Sequence, residues 1–133
     1  MKNIRTLLVE PSKHPEICYI KPTMKAFRKA VNADNIKYGG VESKKLERQI
    51  FAVFNKDRFL AELEPNRRIG DDIIVGTMYI VAVNEQRFPV SLNEEQISKY
   101  SLRFWNVEDF DDMDVAEANL NTLFSRFLID EEL

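Results

Sequence analysis

Two stretches decide the fold: Arg48–Asn55, RQIFAVFN, and Thr77–Val83, TMYIVAV. In the first, Ile50, Ala52 and Phe54 alternate with Phe51 and Val53, so a strand built from it is apolar on both faces. The second is a run of the same kind. A strand covered on both sides sits in the middle of a sheet, so both segments read as central strands. Asn55-Lys56-Asp57 closes the first and Asn84-Glu85-Gln86 the second, each with turn-forming residues.

Upstream, Ile4–Val9 (IRTLLV) and Glu16–Ile20 (EICYI) are short apolar runs separated by a segment with two prolines, a pattern that predicts a hairpin. Thr23 then stands as N-cap of a helix with Met24, Phe27, Ala30 and Val31 on one side and Lys25, Arg28 and Lys29 on the other. Residues 38–41 read as a turn or a strand entry. Ser91 and Glu94 have capping-box spacing ahead of a helix that carries Ile97, Tyr100, Ser101 and Phe104. Asp114 and Glu117 repeat the spacing before a second helix over Met113–Leu128, striped by Ala116, Leu120, Leu123, Phe124 and Phe127. The expected fold is α+β: a mainly antiparallel sheet of about five strands with helices packed on it, two of them C-terminal. Residues 1–133 read as one domain, since no repeat or linker divides them.

Composition narrows the function classes. One cysteine, Cys18, allows no internal disulfide, and with His14 as the one histidine the usual structural zinc sets are missing. No cofactor is expected. The first residues carry charges on either side of Ile4 and do not read as a signal peptide, and no apolar run nears the ~20 residues of a membrane helix. A cytoplasmic protein without membrane contact is the expectation. Charge is unevenly spread. Residues 1–70 hold 15 Lys+Arg against 8 Asp+Glu, and residues 71–133 hold 4 against 14. Either the halves neutralise each other on folding, or one presents a basic face to an anion or the other an acidic face to a basic partner. A pI near 5.3 lies far below the value above ~9 usual for a dedicated nucleic-acid binder, so nucleic acid is not the expected partner.

Between the two central strands, Leu63–Gly76 (LEPNRRIGDDIIVG) is charged, turn-rich and free of a clear period. Such segments often carry function. Arg67 and Arg68 could hold a phosphate or carboxylate through paired hydrogen bonds, with Asn66 orienting it and Gly76 or Thr77 adding an N–H or hydroxyl. The other reading is structural: an arginine pairs with Asp71 or Asp72, and Asn66 caps a turn after Pro65. The candidate ligand or partner site is therefore Asn66, Arg67, Arg68, Asp72, Gly76 and Thr77. No catalytic set is found. His14 and Cys18 lie four apart, but a nucleophilic pair needs contact and a third, orienting group. Asp71-Asp72 and 109–114 do not follow a calcium-loop pattern and read as solvated or capping carboxylates.

Taken in order, Leu8-Val9-Glu10-Pro11, Ile50–Asp57, Pro65-Asn66-Arg67, Asp72–Thr77, Ile80–Val83 and Ser91–Tyr100 resemble the domain-of-unknown-function family numbered 3846, over about residues 4–104. Phe54 departs from the pattern, where a smaller residue such as Cys is expected. The resemblance implies a setting rather than an activity: a bacterial, phage or mobile-element protein, with no functional residue to inherit. The function expected is a non-enzymatic binding protein of a phage or mobile element that acts through a host protein. The alternative is a binder of a nucleotide or other small anion at the Asn66-Arg67 loop. A C-terminal helix appended after the resembling region could be core or a dimer seam.

Overall fold

Central β-strands need two covers, and the computed structural model provides one for each face of the sheet. It describes residues 2–33, 40–57 and 63–120. The elements are β1 (Ile4–Val9), β2 (Glu16–Ile20), α1 (Met24–Ala30), β3 (Val41–Glu47), β4 (Ile50–Asn55), β5 (Pro65–Ile69), β6 (Asp72–Val75), β7 (Met78–Val83), β8 (Pro89–Val90) and α2 (Glu94–Arg103). The chain is helical again over 112–120. The main sheet is antiparallel in the order β2-β1-β7-β4-β3, with β8 added at the end of β7. The fold is α+β, as the pattern predicts. Among the described residues no helix is long and apolar enough to cross a membrane.

β4 and β7 lie side by side inside the sheet, in the register Ile50↔Ala82, Phe51↔Val81 and Ala52↔Ile80. Cross-strand partners point to the same side, so the alternation seen in sequence sorts them into two cores. On one face Leu7, Val9, Ile50, Ala52, Phe54, Met78 and Ile80 pack with Ile69, Ile74, Tyr100 and Phe104 of the elements above them. On the other, Ile4, Leu8, Tyr79 and Val81 pack with Phe27 and Val31 of the α1 region. Each aliphatic side chain so buried contributes about 1.5–3 kcal/mol.

The start of α1 follows the sequence: Thr23 Oγ1 accepts the Ala26 N–H at 3.1 Å. Its far end is tied to the sheet by Asn55, fully buried, whose Nδ2 donates to the carbonyls of Val31 and Asn32.

Four local expectations are corrected. β3, read only as a strand entry near 41, is a seven-residue edge strand. Its sequence VESKKLE alternates charges along the open edge, which hides a strand from an apolar-pattern reading and blunts the edge. Leu63–Gly76 is not irregular: β5 and β6 form a separate two-stranded hairpin, with Ile69 facing Asp72 across Gly70-Asp71. Gly70 has φ +61°, the left-handed geometry that a two-residue hairpin turn requires. The capping box of α2 is formed by Asn93 and Gln96, two residues along from Ser91 and Glu94. Ser91 instead accepts the Arg5 N–H. In the same way Asp111 and Asp114, rather than Asp114 and Glu117, exchange the two capping bonds ahead of 112–120.

In that last helical stretch Ala118 is buried against Ile73 and Val75, while Ala116 is exposed and Leu120 half-exposed. Leu123, Phe124 and Phe127 of the expected stripe lie outside the described residues.

Candidate functional site

Asn66 occupies a β-bulge: the register passes from Pro65↔Val75 to Arg67↔Ile74, leaving Asn66 as the extra residue. The bulge turns its side chain inward. Asn66 is fully buried, and its Nδ2 donates to the carbonyls of Val9 and Gly76, each at 2.8 Å. Its Oδ1 accepts from Arg67 Nη1 at 2.9 Å. Arg67, 1% exposed, is the largest fully buried side chain described. Its Nε donates to the Phe104 carbonyl at 3.1 Å and its Nη2 to the Lys13 carbonyl at 2.6 Å. Phe104 caps the C-terminus of α2, where carbonyls lack helical partners and a cation is favoured. Burial pulls the Arg67 guanidinium below its ordinary value, and the charge of Glu108 pushes the other way.

Gly76 completes this group. With φ +82°, it gives its N–H to the Glu64 carbonyl and its own carbonyl to Asn66, and a Cβ there would stand 2.7 Å from Leu63 Cδ1. Asn66, Arg67 and Gly76 are thus brought together. They form a polar bolt holding the β5–β6 hairpin to β1, to the β1–β2 turn and to the end of α2. Their donors point at main-chain carbonyls rather than at solvent. The remaining candidates lie apart from the bolt. Arg68 is exposed, with its N–H on Glu108 and its guanidinium 5.6 Å above the Phe110 ring. Asp72 begins β6, and Thr77 is half-buried between β6 and β7.

The other sequence candidates part company as well. His14 stacks on Trp105, with ring centroids 4.2 Å apart and planes 7° from parallel, and its Nδ1 lies 2.6 Å from the Trp105 carbonyl. Cys18 packs on the α1 side of the sheet, and its carbonyl accepts from Thr6. The two are not joined as a nucleophilic pair. Burial, with Cys18 next in influence, pushes the Tyr79 phenol up to about 12. Among the described residues no group of three or more His, Cys, Asp or Glu is placed to hold a metal ion.

A different site comes from the opposite face. A seven-residue helix is about 10 Å long, whereas five strands span about 19 Å from first to last. Among the described residues, α1 leaves part of its face of the sheet uncovered. What it leaves is an open cavity of about 350 Å³. The floor is Phe51 and Val53 of β4 with Val81 and Val83 of β7, and Met24 and Phe27 of α1 form one wall. Phe51, Val53 and Val83 are only half-buried, and Met24 is 56% exposed. At its far end lies a second, polar cavity of about 410 Å³, which shares Val83 and Arg87 with the first. Lys45, Arg48 and Arg87 line it, together with Glu85. Sequence reasoning missed this groove, although the signal was there: two strands apolar on both faces beside a helix too short to cover one of them.

A family model described as a domain of unknown function (DUF3846) matches residues 4–104. No curated protein and no solved structure matches the chain. The matched region ends at Phe104, the residue whose carbonyl receives Arg67 Nε.

Proposed function

We propose, from the premise that the chain belongs to the DUF3846 family, that it is a non-enzymatic binding protein whose recognition surface is the groove between α1 and strands β3, β4 and β7. The single observation that carries this reading is an apolar sheet face left half-covered by its own helix. Leaving Phe51, Val53 and Val83 half-buried in a folded chain forgoes stabilisation that a longer helix would supply. The occupant in this reading is a protein, and the setting is a phage or mobile element acting on a component of its host. An open groove, such as the described residues form, suits a chain segment better than a small molecule, which is usually enclosed over most of its surface.

The test begins with affinity capture from host lysate, followed by reconstitution with the purified captured protein. Calorimetry should then give a Kd that weakens about tenfold or more with Met24→Glu, a change on an already exposed wall residue. Equal affinity for the variant would remove the groove from the reading.

A further inference from the structure

We infer that the segment filling this groove is an extended, acidic peptide, with one or two large apolar side chains over Phe51, Val53 and Val81 and carboxylates meeting Lys45, Arg48 and Arg87. This rests on the groove reading above and adds the chemistry of the partner.

Three observations carry it. The apolar and the polar cavity adjoin, because Val83 and Arg87 line both. A ligand seated on the valines therefore runs directly into the cations. The cations are also available. Among the described residues none of Lys45, Arg48 and Arg87 forms a salt bridge, and Glu85 is the one carboxylate lining their cavity. Glu42 lines the apolar cavity and Glu85 the polar one, so the three cations outnumber the carboxylates at the polar end, an excess that a carboxylate-bearing partner complements there.

The third observation is register. Lys45 faces Phe51 across β3–β4, and Phe51 faces Val81 across β4–β7, so cation, ring and valine form one row on one face. The next row, where the Val83 N–H meets the Gln49 carbonyl, lies about 7 Å further along the strands. An extended peptide repeats its side-chain direction over the same distance, so an apolar residue followed two positions later by Asp or Glu matches both cavities. Arg87 is presented by a β7–β8 turn that holds it at φ +70°, with its N–H on the Asn84 carbonyl and its guanidinium 5.8 Å from the Phe51 ring.

The experiment pans a random peptide display library on the immobilised full chain, with counter-selection on the Met24→Glu variant. Selected sequences are then synthesised with a fluorophore for anisotropy titrations. The expected peptides carry an aromatic or large aliphatic residue followed closely by Asp or Glu. Their affinity should fall between about 0.05 and 0.3 M salt, and Lys45→Glu with Arg48→Glu should weaken it about tenfold or more. A peptide with Lys in place of its acids should prefer that reversed variant over the wild type. Circular dichroism confirms that the variants are folded, which two exposed positions on an edge strand and its turn favour. Neutral or basic peptides that bind in the groove with no salt dependence would overturn the acidic assignment and leave the groove reading standing. No peptide sensitive to Met24→Glu would overturn both.

Discussion

The two faces of the main sheet are closed by different means. On the hairpin side the cover is a second layer of strands and α2, and its docking is fixed by buried polar groups: Asn66 and Arg67 place donors on carbonyls of Val9, Lys13 and Phe104. On the α1 side the cover among the described residues is one short helix held by Thr23 at its start and Asn55 at its end, with an open cavity beside it. Hydrophobic contact is nondirectional and tolerates sliding, whereas buried donors accept one geometry or incur the cost of an unpaired group. The comparison teaches that buried donors fix the whole hairpin layer on one face, whereas on the other Asn55 fixes only the end of a short helix and leaves apolar sheet beside it half-buried.

The comparison breaks most visibly at Arg67. Arg67→Ala leaves the Lys13 and Phe104 carbonyls without their donor and opens space under the hairpin, and should cost about 3 kcal/mol or more in urea denaturation. A stability close to that of the wild type would mean that the bolt does not hold the closed face. Gly76→Ala should cost about 2 kcal/mol in the same measurement, from a left-handed backbone and the approach to Leu63.

A smaller effect is expected at the rim of the closed face, where Glu47 of β3 accepts from Lys99 Nζ and from the Tyr100 hydroxyl of α2. Those hydrogen bonds, Lys99 first, hold the Glu47 carboxyl below its ordinary value of 4.5. A depressed folded-state value means that the contribution is present above pH 4.5 and is lost as pH falls through the folded value. Glu47→Gln should therefore lower stability at neutral pH only slightly and flatten its decline in acid. An unchanged acid profile would show that the tie is idle. The smallest effect should be on the open face. Met24→Glu should leave the free energy of unfolding within about 0.5 kcal/mol of the wild type while removing partner binding. A large loss of stability would mean that the groove wall is core.

Much of this architecture was legible in the chain. β4 and β7 announce themselves as two-sided strands, Thr23 marks the start of α1, and the β1–β2 hairpin follows from two apolar runs around two prolines. β3 and the β5–β6 hairpin were not legible, for a shared reason. Edge strands and strands that bury Asn and Arg carry polar residues where periodicity searches for apolar ones. The same cause left two readings of the site open. Asn66-Arg67 drew attention because the pair can bind an anion, but the same donors satisfy carbonyls equally well, and only the bulge at Asn66 decides which way they face. The groove was hidden differently: it is a shortfall in the length of α1 against the width of a sheet, and no single residue carries it.

The Arg67 bolt also has a consequence in time. Its hydrogen bonds, with that of Asn66 to Val9, join positions 37, 54 and 57 apart in the chain, so each requires a long loop to be closed first. Such contacts are expected to form after the main sheet has condensed and to be weak in the transition state. Removing the guanidinium should then quicken unfolding and leave the refolding rate almost unchanged in a stopped-flow chevron. The closed face would be assembled last and, once assembled, would set how long the native protein persists.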